Sequence, residues 1–184
     1  ISEHYRQNWQ GTGFKAQLVA PSKAAALKYK QFLDDIGHVN AEVVISPPDE
    51  REGFEEVDAE ESSDVVVAFW QRMMKRYGSE EEYNKQIINQ FKNGEQPEIL
   101  IVVDKLLTGF DEPRNTVLYI DKPLKGHNLI QAVARVNRLH DAKRYGVLVD
   151  YRGILEKLDT AVRAYQELES RTQSGFDIAD VEGL

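Results

Sequence analysis

Residues 98–140 read EILIVVDKLLTGFDEPRNTVLYIDKPLKGHNLIQAVARVNRLH, and the fold turns on how this stretch alternates. Two near-continuous apolar runs, 99–103 and 116–120, have the pattern of strands covered on both faces of a parallel sheet. Each run gives way to a polar loop, and the second loop leads into a helix. Ile130, Val133, Val136 and Leu139 form an apolar stripe on that helix, expected to face a core. Gln131, Arg135 and Arg138 follow at offsets of four and seven. At about 100° per residue they fall within roughly 60° of one another on one face. Arginine is fixed in charge and forked, which suits phosphate oxygens. An amphipathic helix with two solvated arginines has the same spacing, so this helix alone leaves both readings open.

Between the runs lies Asp104-Lys105-Leu106-Leu107-Thr108-Gly109-Phe110-Asp111-Glu112-Pro113. A buried strand that ends in such a loop is how an open parallel sheet presents a ligand site at its carboxyl edge. Gly109 permits a φ > 0 turn or a close backbone approach. Asp111 suits a ribose hydroxyl or an arginine partner. An ordinary turn with a helix-capping Asp explains the same residues taken singly.

Together the pieces resemble a known family. VVDKLLTGFDEP is similar to motif V of superfamily 2 helicases, and QAVARVNR to motif VI. The run VVDKLLTGFDEP, then YIDKP, KGHNL and QAVARVNR, then VDYRGI resembles the motor subunit of type I restriction endonucleases. The resemblance covers residues 99–154 and implies the second RecA-like lobe, an α/β three-layer fold with a mostly parallel sheet. It implies that Arg135 and Arg138 are catalytic, reaching the γ-phosphate of ATP bound with Mg²⁺ mainly on a first lobe. Gly109 and Asp111 would line that cleft, and Gln131 would support the arginines or the nucleotide. Nucleic-acid contacts would fall on Ser22 and Lys23, and on Lys105 and Thr108 in the motif V loop. Implied partners are duplex DNA, the first lobe and nuclease domain of the same parent chain, and modification and specificity subunits. Two residues depart from the pattern. Val103 stands where many relatives have a DNA-contacting threonine, and Ala134 where a glycine usually precedes the first motif VI arginine.

Outward from this stretch, strands are expected over 16–20, 41–46 and 145–150, and helices over 22–36, 64–77 and 80–92. Strands alternating with helices indicate an α/β fold with a parallel sheet. Ser22 is a plausible N-cap and Gly37 a stop. Ser79 and Glu82 have capping-box spacing. Residues 1–15 form a polar leading segment whose Gly11-Thr12-Gly13 reads as a turn. The acidic, apolar-poor residues 47–63 are expected to be a loop. The lobe proper spans 16–153. Residues 154–184 read as a trailing helix, with Leu158, Val162, Tyr165 and Leu168 on one face, and then a tail toward a following domain.

The 184 residues include no cysteine and four scattered histidines, so no thiolate metal site and no metal-binding spacing is present. No apolar run reaches membrane-spanning length and no signal peptide opens the chain, so the cytoplasm is the expected compartment. The start at Ile1 suggests a fragment. Net charge is −8, which does not advertise a free-standing nucleic-acid binder. The charge is uneven, however. Residues 42–64 carry ten acidic residues against one basic, while 105–144 carry eight basic against four acidic. No Gly-Lys pair occurs, so the phosphate loop G-x-x-x-x-G-K is absent. The expectation is therefore half a motor, inactive alone. The alternatives are a lobe of another superfamily 2 DNA or RNA helicase, and a non-catalytic α/β interaction module.

Overall fold

The computed structural model describes residues 1–48, 59–106, 110–124, 126–137 and 145–154. Among the described residues ten elements follow one another: α1 (Ser2–Asn8), β1 (Lys15–Val19), α2 (Lys23–Ile36), β2 (Ala41–Val44), α3 (Ala59–Tyr77), α4 (Glu80–Asn93), β3 (Ile99–Val102), β4 (Asn115–Ile120), α5 (Gly126–Val136) and β5 (Val147–Asp150). The strands form one sheet in the order β2-β3-β1-β4-β5, and every neighbouring pair is parallel. The short run AQLV thus occupies the centre. All five residues of β1 are buried, and Gln17 within it accepts a hydrogen bond from Asn115 Nδ2 at 3.1 Å.

Alternation along each strand feeds two cores. Ile99, Ile101, Val43, Leu18 and Tyr119 pack with α1 and α2 on one face. Leu100, Val102, Val44, Val19 and Leu118 pack with α4 and α5 on the other. This two-sided demand is why β3 reads ILIV without a polar residue. The local signals act as expected. The Ser22 side chain accepts from Ala25 N, and that of Ser79 from Glu82 N, both at 3.1 Å. Gly37 closes α2 at φ 69, a left-handed conformation that costs glycine nothing.

Two expectations need correction. The leading segment is not a mere polar lead. Ser2–Asn8 is a helix, and Tyr5 within it is 1% exposed, its hydroxyl donating to Phe14 O at 2.6 Å. His4 Nδ1 lies 2.8 Å from the Tyr119 hydroxyl, which ties α1 to β4. Next, the acidic loop is shorter than expected. Residues 49–58 lie outside the described residues, but 59–63 already belong to α3. On α5, Val136 is buried and Val133 half-buried against the same core, as expected, and Leu129 and Ala132 are buried beside them. The Ile130 side chain and all of Leu139 lie outside the described residues, as does the trailing segment 155–184.

Candidate functional site

The candidate residues divide between two ends of the sheet. Because β3 and β4 are parallel, the segment between them must travel the full length of the sheet. It leaves the carboxyl edge at Val103 and enters β4 at the amino edge. Phe110 already lies near the amino end, its ring 6.0 Å from that of Phe91 in the last turn of α4. Asp111 follows it, exposed. Glu112 is buried and accepts from Arg114 N at 2.9 Å and Arg114 Nε at 3.3 Å. Arg114 in turn donates to the Phe91 and Lys92 carbonyls at the end of α4.

α5 makes the same journey. It starts beyond the carboxyl end of β4 and ends against Gly146, whose N–H donates to Asn137 Oδ1 at 3.1 Å just before β5 begins. Gln131, half-buried, stands midway along α5, and position 135 lies one residue before its end. Asp111 and the end of α5 thus share the amino half of the α4–α5 flank. The Arg135 side chain lies outside the described residues, as do Arg138, Gly109 and Thr108.

The carboxyl edge carries the other group, and its described lysines are each held by a partner within the chain. Ser22 serves as the cap of α2. Lys23 is 5% exposed and its ammonium donates to Pro47 O at 2.7 Å, so burial removes it from the surface as a DNA contact. Lys105 pairs with Glu80 at 2.5 Å. Lys122 pairs with Asp104 at 2.5 Å, joining the ends of β4 and β3 across the end of β1. Leu106, in the loop after β3, sits at φ 64, a conformation that branched side chains rarely take.

The sequence did not single out Asp121, yet it is the hub of this edge. It accepts from the Tyr29 hydroxyl at 2.8 Å and pairs with Arg152 at 2.8 Å. Burial and the bond to Asp121 push the Tyr29 hydroxyl up to about 12. The only signal was its place just after an apolar strand.

At the amino edge, Lys15 was also missed. It is 2% exposed, and its ammonium donates to the carbonyls of Gly94, Glu95 and Pro97 at 2.9, 3.0 and 2.8 Å. Beside it a cavity of about 410 Å³ is lined by Tyr5, Gln10, Lys15, Glu98 and Arg114 among others. With all three ammonium protons taken, Lys15 offers this cavity no spare donor. Among the described residues no cluster of His, Asp or Glu side chains forms a metal site.

Comparison with known proteins decides the family. The family described as type I restriction enzyme subunit R domain 3 matches residues 12–153. The chain belongs to that family. An endonuclease subunit of a type I restriction enzyme from Methanocaldococcus jannaschii is 34% identical over 178 residues, which is 91% of this chain and 16% of that protein. The HindI endonuclease subunit of Haemophilus influenzae is 40% identical over 107 residues, 54% of this chain and 10% of that protein. The chain therefore spans a small part of the length of these relatives. Among solved structures, the C-terminal part of the Fun30 ATPase domain matches 87% of this chain and 42% of its own, with TM-score 0.50 and 13% identity. This likeness concerns the fold, which is RecA-like: a parallel sheet with helices on both faces. Among the described residues no helix is long and apolar enough to cross a membrane.

Proposed function

We propose that this chain is the second motor lobe of an ATP-dependent DNA translocase within a type I restriction endonuclease. The observation that best supports the reading is the shared end of the α4–α5 flank in a chain of this family. Asp111, which precedes β4, and position 135, near the end of α5, approach the same end of the sheet. A flank of this kind can face a nucleotide held on another lobe. ATP with Mg²⁺, bound mainly by that first lobe, supplies the phosphoryl group and the driving free energy. Arg135 and Arg138 stabilise the negative charge that develops on the phosphoryl oxygens. Gln131 orients them, while Gly109 and Asp111 line the cleft wall. The fit is partial: this chain offers charge stabilisers, its sequence has no G-x-x-x-x-G-K phosphate loop, and among the described residues no acidic cluster forms a metal holder. Opening and closing of the cleft moves duplex DNA. The nuclease domain belongs to the same parent chain, modification and specificity subunits complete the assembly, and the enzyme works in the cytoplasm.

Arginines that enter a cleft in this way contribute on the order of 10³–10⁵ in rate in GTPase systems. Arg138→Ala and Arg135→Ala, made in the full-length protein assembled with its partner subunits, are expected to keep ATP binding and to lower DNA-stimulated hydrolysis by two orders of magnitude or more. Unimpaired turnover in both variants refutes the role.

A further inference from the structure

Four described cations stand at the carboxyl edge, and three of them are lysines with internal partners: Lys23 on Pro47 O, Lys105 on Glu80 and Lys122 on Asp104. Arg152 is held differently. Its Nε donates to the main-chain oxygen of Asp121 at 3.0 Å and lies 2.8 Å from Asp121 Oδ1. Neither terminal nitrogen of its guanidinium donates a hydrogen bond to a described residue, and the side chain is 45% exposed. The turn that carries it is anchored on both sides. Tyr151 N donates to Ile120 O at 2.9 Å, Arg152 N to Asp150 Oδ1 at 2.8 Å, and the N–H of the buried Ile154 to Asp150 Oδ2. Asp121 is itself held by the Tyr29 hydroxyl from α2.

This is a guanidinium fixed at its neck, with its fork left open among the described residues. A planar fork with two spare nitrogens matches a phosphate, and little side-chain freedom remains to be lost on binding. The position decides which phosphate. Arg152 lies beyond the carboxyl end of β5, whereas Asp111 and position 135 lie at the amino half of the α4–α5 flank, roughly the length of a strand away. A phosphate reached by the end of α5 is therefore not the one within reach of Arg152.

We propose that Arg152 is a phosphate-binding residue of the carboxyl edge and takes a phosphodiester of duplex DNA. This rests on the translocase reading above and gives it a DNA contact at the carboxyl edge that the buried Lys23 does not supply. The test is binding of a labelled duplex, lacking any recognition site, by the full-length protein assembled with its partner subunits, without ATP and across a salt series. Arg152→Gln is expected to weaken binding several-fold at low salt and to reduce the slope of log affinity against log salt by about 1. Asp121→Asn removes the same ion pair but keeps the arginine, and its slope is expected to match that of the unaltered protein. An unchanged slope in Arg152→Gln overturns the assignment, as does an equal loss in both variants, which marks a structural role. A change confined to the ATP concentration needed for half-maximal hydrolysis overturns it too. Failure of the unaltered assembly to bind duplex DNA instead removes the translocase reading itself.

Discussion

Lys15 shows how one side chain can be committed to structure at an electrostatic cost. Its three carbonyl partners close the turn between α4 and β3. Burial, and then the charge of Arg114, hold its ammonium at about 8, below the ordinary 10.5. The folded state therefore gives up this proton more readily than the unfolded chain. Stability contributed by this group is lowest below pH 8 and rises between about 8 and 10.5. Burial raises the Tyr5, Tyr83 and Tyr119 hydroxyls, so the tyrosines oppose that rise only above pH 10. Urea midpoints measured at several pH values between 8 and 10 are expected to climb in the unaltered chain and to lose most of that climb in Lys15→Met. A parallel climb in both proteins contradicts the assignment to Lys15. Nothing local in Phe14-Lys15-Ala16 announces this role, because the partners stand about eighty positions away.

Among the elements, α5 is the one whose placement matters most for function, and Gly146 sets where it ends. A Cβ at this position would collide with the Val136 carbonyl, which is backbone and cannot swing aside. Gly146→Ala is expected to cost about 1–3 kcal/mol, the usual range for overpacking, and to shift the end of α5 that carries position 135. Chemical denaturation reads the first effect, and DNA-stimulated hydrolysis by the full assembly reads the second. A neutral substitution means that β5 and α5 are not in contact there. Capping was legible beforehand, since Ser22 and Ser79 act on N–H groups only three residues away. The core stripe on α5 was legible in part, through Val133 and Val136. Leu129 and Ala132 are buried beside them because the sheet lies on that side, which periodicity alone does not reveal.

At the scale of the molecule, α1 is part of the packed domain. Tyr5 is among its largest fully buried side chains, and α1 meets β4 through His4 and Tyr119. Deleting residues 1–8 removes that aromatic and uncovers the face of β4. The loss is expected to be at least about 3 kcal/mol, the scale for emptying an aromatic core site. A truncated chain with an unchanged urea midpoint shows that α1 does not support the core. Seven polar-looking residues gave no warning of this, because Tyr5 is buried by contacts with the sheet and not by a pattern of its own.

The sequence by itself determined the class of fold, the strands and helices of the lobe, two helix caps and the family. Each of these is written in periodicity, short-range hydrogen bonding or a contiguous motif. Only the tertiary structure decided that β1 is central, that Asp111 and the end of α5 share one end of the sheet, and that Lys23 is buried against Pro47 while no described residue takes the fork of Arg152. Those outcomes depend on which distant residues become neighbours. A parallel sheet sets that by carrying each connection across its whole length, and the spacing of residues along the chain does not record it.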